Sequence, residues 1–341
     1  MAISGVSTIG GGDFSLTGLP QALLSIYAKQ LLYEAMGAMR FEEFAVVRED
    51  FSKQSGETLI LTKYADISGS PALTENVRIV PKSMSASTVT MTVSEYGSAI
   101  SVTEKLLQLS WDDQLSNAAY QLGRHYAKWG PDKLLRDMVL NGGNLDGSAS
   151  PLTPSVLYGG GKASRTAVTS ADVFDTDLIR EAVEQLQTNN APKFNNDFYV
   201  CVLHPHQARH IKQDPDWVAA HNYHQTRSLF NGEIGRWEDV IFIQTTHMPN
   251  GVPTSATDIS YVDSADTPGS NDLKSGVDGN LANIYQAAMF GDSYYAYGVA
   301  LPVEMRDNGV TDFGREHSLA WYSIYGAGLL YEDYGFRLET A

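Results

Sequence analysis

Five of the eight histidines fall in one short stretch: His204, His206, His210, His221 and His224. His206 and His210 stand four residues apart, so on a helix they share a face and can bind zinc. The residues between them are Gln207, Ala208 and Arg209, without the glutamate that acts as base in a zinc hydrolase motif. No clear carboxylate ligand stands at metal-site spacing. The cluster reads as surface and interface histidines, and no metal is expected.

Gly159-Gly160-Gly161-Lys162 invites a phosphate-loop reading. That motif needs a glycine where Val156 stands and Ser or Thr where Ala163 stands, so the match fails and a flexible linker is expected. Cys201, close to His204, has the makings of a thiol nucleophile. It lies, however, inside Tyr199-Val200-Cys201-Val202-Leu203, a run that reads as a buried strand, where cysteine behaves as a small apolar residue. No G-x-S-x-G elbow occurs. The acid pairs Asp112-Asp113, Glu42-Glu43 and Glu332-Asp333 are adjacent in sequence, and neighbours on a helix or strand point in different directions. They read as solvated or interface charges. No catalytic residue, no cofactor-binding residue and no metal ligand is assigned, and the chain is not expected to be an enzyme.

The whole chain narrows the classes further. Its 341 residues suggest roughly two domains of ordinary size and enough chain for a sizeable core. Twenty-four Lys and Arg against 40 Asp and Glu give a net charge of −16. No dense basic run is present, which disfavours a role that grips nucleic acid phosphates. A protein that encloses DNA without gripping it remains compatible. The single cysteine excludes an intrachain disulfide and a four-cysteine zinc site. The start, Met1-Ala2-Ile3-Ser4-Gly5, shows no basic segment followed by an apolar run, so no secretory signal is expected. No apolar stretch approaches the roughly 18 residues of a membrane span. A soluble protein made in the cytoplasm is expected.

These residues must be positioned by the elements around them. Residues 1–20, centred on Gly10-Gly11-Gly12, read as a flexible arm, followed by a helical stripe of Leu23, Leu24, Tyr27, Leu31 and Leu32. Residues 51–102 read as a long β-hairpin. Leu59 and Leu61 alternate with Ile60 and Thr62; Val77-Arg78-Ile79-Val80 resumes the strand pattern; Val89, Met91 and Val93 alternate with threonines. An isolated two-stranded arm is marginal in water, so its apolar face is expected to meet a neighbour. Residues 103–141 are predicted helical, with the stripe Leu115, Ala118, Leu122, Tyr126 and Trp129 and a kink or restart at Gly130-Pro131. Leu134, Leu135, Met138 and Val139 continue the apolar face, and Asn141-Gly142-Gly143 stops it. Residues 142–170 read as a connection. From 171, helix and strand alternate: a helix capped among Asp175, Thr176 and Asp177, a strand to Leu203, a helix opened by His204-Pro205, and a strand from Val240 to Gln244. Residues 249–283 read as an inserted polar loop, and 284–341 as β-rich.

This order of parts resembles that of the tailed-bacteriophage major capsid protein family. The local matches are Gly56-Glu57-Thr58 leading into the hairpin, Leu73-Thr74-Glu75 at its turn, and Tyr96-Gly97 before the long helix. They continue with His204-Pro205, Gly232-Glu233-Ile234-Gly235, Ile284-Tyr285, Phe290-Gly291, and Asp312 with Gly314 and Trp321. Together they cover roughly residues 20–341. Asn76 and Tyr322 depart from the pattern, where glycine and lysine are expected, and the stretch 249–283 is long for it.

The resemblance implies an α+β capsid fold. Its expected parts are an N-terminal arm (1–50), an extended β-hairpin loop (51–102), and a peripheral domain with a long spine helix (103–170). An α/β axial domain (171–283, with the insertion near 249–283) and a return through axial into peripheral domain (284–341) complete it. It further implies a virion shell of pentamers and hexamers of this chain around double-stranded DNA, with a separate scaffolding protein, a portal and decoration proteins as partners. Membrane and cofactor play no part. Some shells of this fold join a hairpin lysine to a neighbour's asparagine, for which Lys63, Lys82 and Asn308 are the candidates; no such cross-link is expected. The rival readings are the shell of a bacterial nanocompartment, which shares the fold, and a metal-dependent hydrolase built on the histidine cluster.

Overall fold

A computed structural model of the chain describes residues 26, 28–29, 31–33, 39–48, 58–64, 69, 72, 75, 78–79, 81–84, 86–142, 154–218, 233–249, 274–275 and 282–341. In chain order the elements begin with β1 (Val46–Arg48), β2 (Thr58–Tyr64), β3 (Ala86–Thr92), β4 (Ser94–Thr103), α1 (Glu104–Leu109), α2 (Gln114–Trp129), α3 (Pro131–Asn141) and β5 (Ser155–Tyr158). They continue with α4 (Thr176–Thr188), β6 (Tyr199–Leu203), α5 (Pro205–Ile211), β7 (Glu233–Trp237), β8 (Val240–Gln244), β9 (Lys274–Ser275) and β10 (Ala282–Asn283). The last are β11 (Tyr285–Phe290), β12 (Tyr295–Thr311), β13 (Glu316–Leu329) and β14 (Gly335–Thr340). The chain divides into two units, one of residues 1–36, 95–127 and 302–323, the other of 37–94, 128–301 and 324–341. The expected glycine-rich arm, Leu23, Leu24, Tyr27, His221, His224 and most of 249–283 lie outside the described residues.

The second unit is organised by a six-stranded mixed sheet of order β5-β14-β11-β6-β8-β7. Every residue of β6 is buried, which is why Tyr199–Leu203 reads as an unbroken apolar run: both faces of this central strand are covered. The α4 stripe of Leu178, Ile179, Ala182, Val183 and Leu186 is buried in one cluster with Cys201, Phe242, Met289 and Leu338. Burying its four large aliphatic side chains contributes roughly 6–12 kcal/mol before ordering costs, at about 1.5–3 kcal/mol each. Asp175 is the cap among the three candidates; its carboxylate accepts the Leu178 amide at 3.0 Å. β5 corrects the sequence reading, which treats 142–170 as a connection. Ser155 to Tyr158 pair in parallel with Phe336 to Glu339, and four residues are too few for a strand period to stand out.

In the same unit β2 and β3 form their own antiparallel pair, with Thr58 opposite Thr92 and Tyr64 opposite Ala86. The expected strand at Val77–Val80 is not formed at Arg78 and Ile79, which lie outside any strand. α2 ends at Trp129 and α3 restarts at Pro131, with Gly130 between them at φ −82° and ψ −146°. Pro131 lacks the amide hydrogen that a continuing helix would need, but the first turn has no use for one. Asp132 in that first turn is buried, and its Oδ1 accepts the backbone amides of Arg40 and Phe41 at 2.7 Å each. The Tyr295 hydroxyl donates to the Phe41 carbonyl at 2.6 Å. The segment entering β1 is thus tied down by polar groups on two distant parts of the sequence.

In the first unit, β4, β13 and the later part of β12 are sheet neighbours. Ala118, Leu122 and Tyr126 of α2 are buried, and the Tyr126 ring meets Trp321 edge-on at 5.1 Å. Trp321 Nε1 donates to His125 Nδ1 at 3.2 Å. Gly97 is required by close approach: a Cβ there would stand 2.9 Å from the Trp321 carbonyl oxygen. The helical stretch predicted over 103–141 restarts at Pro131 as expected and is also broken at 110–113, where Asp113 Oδ1 accepts the amides of Leu115 and Ser116 at 3.2 and 3.3 Å. One member of the Asp112-Asp113 pair is therefore a helix cap.

Candidate assembly surface

The residues that invite chemical readings are placed as follows. His204 is the N-cap of α5; its Nδ1 accepts the His206 amide at 3.1 Å, and Gln207 completes a capping box. The His206 ring stacks on Tyr285 at 4.1 Å and lies 4.7 Å from His210. The Arg209 guanidinium stands 3.2 Å from Nε2 of both His206 and His210, where a cation opposes a metal ion. Burial, and then the charge of His206, pushes the His204 pKa down to about 4. Burial also lowers His206 and His210, with Arg209 adding to both. Among the described residues no group of three or more His, Cys, Asp or Glu is arranged so that it could hold a metal ion.

Cys201 is fully buried in β6, and burial pushes its thiol far above the usual range, so it remains protonated and out of reach of a substrate. Gly159–Gly161 form a short 3-10 turn in which Gly160 takes φ 64° beside the Asp172 carboxylate, and Lys162 pairs with Asp172 at 3.9 Å. This turn serves local structure. Glu42 is held above the usual carboxylate range by burial and by Asp132. Glu332-Asp333 open another 3-10 turn. Among the described residues, no helix is long and apolar enough to cross a membrane.

The hairpin needs a correction. Val89 and Met91, the face expected to meet a neighbour, are buried within the chain; Met91 has 0% exposure and its side chain packs at Gly328. Lys63 stands over the Tyr331 ring at 4.8 Å. The base of the hairpin therefore belongs to the core of its own unit. What stays exposed is Tyr64 at the end of β2, with Ile79 at 64% and Met84 at 67%. Alternation showed that one face of β3 is apolar; it could not show whose surface covers it.

A second apolar surface lies in the first unit. Leu109 of α1, Trp111 in the following turn and Phe313 between β12 and β13 are exposed, the two aromatic residues fully. Asp312 and Phe313 both adopt positive φ, 49° and 58°, a conformation that costs a non-glycine residue roughly 1–2 kcal/mol. Beside them a groove of about 530 Å³ is lined by Thr103, Glu104, Lys105, Gln108, Leu109 and the turn residues Asp312, Arg315 and Glu316. Sequence reasoning missed this surface. Its one visible signal is a tryptophan set among Ser110, Asp112 and Asp113, an unusual place for a core residue.

With an antiparallel strand pair, a restarted helix and a six-stranded mixed sheet, the chain has the capsid-subunit fold of tailed phages, and solved structures agree. The capsid of Ralstonia phage GP4 covers 100% of this chain and 97% of its own length, with TM-score 0.67 and 15% identity. The cyanophage Pam1 capsid covers 86% and 87%, with TM-score 0.64 and 13% identity. An acid-stable capsid of Helicobacter pylori bacteriophage KHP30 covers 89% and 91%, with TM-score 0.61 and 15% identity. No curated protein matches the chain by sequence. A model of the phage capsid protein family matches residues 27–301, and the chain belongs to that family. It is a structural, major capsid protein of the virion, built into a shell from copies of itself. The nanocompartment and hydrolase readings are not favoured.

Proposed function

We propose that the shell is icosahedral, made of pentamers and hexamers of this chain, and encloses double-stranded DNA. The observation that carries this reading is the β2–β3 arm. Met91 fixes its base in the subunit, while Tyr64, Ile79 and Met84 stay uncovered. Apolar side chains left exposed on an arm whose base is secured are suited to contact between subunits. The net charge of −16 fits an interior that does not hold DNA back by binding its phosphates. In this reading residues 51–102 are the extended loop, 103–170 with the end of the chain the peripheral domain, and 171–283 the axial domain. Assembly uses a separate scaffolding protein, with a portal at one vertex and decoration proteins as further partners. No metal, cofactor or catalysis takes part, and subunits are not covalently linked.

The test is expression with the neighbouring scaffold gene, followed by electron microscopy and sedimentation. Closed isometric particles are expected, and after boiling in detergent they should give one band near 37.2 kDa. A chain that stays monomeric with scaffold present, across salt and concentration, overturns the reading. A ladder of multimers overturns the absence of cross-links.

A further inference from the structure

We infer that the Phe313 tip of one subunit seats in the groove beside α1 of a second copy, forming a contact that repeats around the shell. The inference rests on the shell reading above and names a contact within it. The β12–β13 turn holds Asp312 and Phe313 at φ 49° and 58°, against their intrinsic preference, and leaves the ring fully exposed. The groove beside it, about 530 Å³, has Leu109 as its apolar wall. Phe313 does not line that groove in its own subunit. Among the described residues each copy therefore carries a projecting aromatic side chain beside a groove that none of them fills, tip and receptacle on one patch that a second copy can match about a rotation axis.

Charge permits another copy of the same chain as the occupant, and copies of this chain are what surround each subunit in the shell. The chain carries −16, so most surfaces of two copies repel. The groove rim holds Lys105 and Arg315 against Glu104, Asp312 and Glu316, two positive and three negative groups, a net −1. Copies meet there with little repulsion and with opposite charges available to pair. Glu104 is occupied by Gln108 Nε2 at 3.0 Å, while Lys105 makes no ion pair among the described residues. Asp312 travels with Phe313 and brings a carboxylate to that lysine. Its present partner is Arg315 at 3.3 Å, both largely exposed, a pair that exchanges at little cost.

Two single-cysteine additions test the contact, Phe313→Cys and Leu109→Cys, made in separate chains. The only native cysteine, Cys201, is buried and does not compete. The two variants are mixed, assembled with scaffold and mildly oxidised. A disulfide-linked dimer containing one of each is expected in the particles, identified by mass spectrometry. In parallel, Phe313→Ser should keep the wild-type melting curve and raise the concentration needed for half-assembly by at least about tenfold, as loss of a buried aromatic anchor does. Particles that form with no mixed dimer, or with Phe313→Cys linked only to itself, overturn the contact and leave the shell reading standing. So does Phe313→Ser assembling at wild-type concentration. Failure of the wild-type chain to form particles overturns the shell reading, and the contact with it.

Discussion

Large aromatic side chains occupy opposite situations in the six-stranded sheet and at two turns of the first unit. Tyr199, Phe242 and Phe290 in the six-stranded sheet are fully covered by their own chain, whereas Trp111 and Phe313 in the other unit are fully exposed. Burying such groups is favourable by a few kcal/mol each wherever it happens. In the sheet that free energy stabilises the subunit. At the exposed turns it is still available to association. The contrast separates residues that stabilise the subunit from residues whose burial is left to association, and the hairpin, with a buried base and exposed residues further along, contains both kinds.

The largest expected effect on folding tests where that boundary runs within the hairpin. Met91 is fully buried opposite Gly328. Met91→Asp places an unpaired carboxylate there, at a cost above about 4 kcal/mol. The variant is expected to lose its cooperative thermal transition, while Met91→Leu stays within about 1.5 kcal/mol of wild type. A Met91→Asp subunit that melts like wild type would return this face of β3 to the outside.

Much of this was legible in the sequence, and the failures have a common cause. The α4 stripe, the buried run around Cys201 and the restart at Pro131 are local signals, and local periodicity or the chemistry of proline settles them. The strand β5, the buried face of β3 and the burial of Asp132 depend on partners far away in the chain: Phe336 for Ser155, Gly328 for Met91, and Arg40 and Phe41 for Asp132. No spacing within a short window contains those pairings. The histidine cluster divides the same way. His204 as a cap before Pro205 follows from adjacent residues, whereas the stacking of His206 on Tyr285 does not. The exposed surface was the least legible, because a single sequence shows that Phe313 is apolar and not that nothing covers it.

A smaller effect on folding comes from protonation at α5. Burial holds the His204 pKa at about 4 against an ordinary 6.5, so the imidazole stays neutral in the fold while the unfolded chain takes up a proton as pH falls. The contribution of this group to stability is complete above about pH 6.5 and declines as pH drops toward 4. His206 and His210 are shifted in the same direction. Glu42 and Asp175, whose pKa values are raised, work in the opposite sense, so the signal is read by difference. His204→Asn keeps an acceptor for the His206 amide and removes the titration. Its melting temperature should fall less than that of wild type between pH 6.5 and 4. Parallel curves for the two proteins would show that His204 is solvated and outside the covered region.

The smallest effect on folding is expected at Trp111, and it tests the exposed side of the contrast most directly. The residue lies between α1 and α2, in a turn whose helix-capping work falls to Asp113 through the amides of Leu115 and Ser116. Its ring is fully exposed. Trp111→Ser removes neither a packing partner nor a cap, so the urea midpoint should correspond to a change within about 0.5 kcal/mol, the range of surface substitutions away from special features. If the ring instead supports the first unit, truncation should cost 3–5 kcal/mol, as large-to-small changes of a buried tryptophan do. The two expectations differ by more than the error of a denaturant curve, roughly 10–15% of the extrapolated stability. An assembly measurement on the same variant then separates two roles. A variant that folds normally and assembles poorly makes Trp111 part of the contact surface with Phe313 and Leu109. One that folds and assembles normally confines that surface to the groove beside α1 and the tip that fills it.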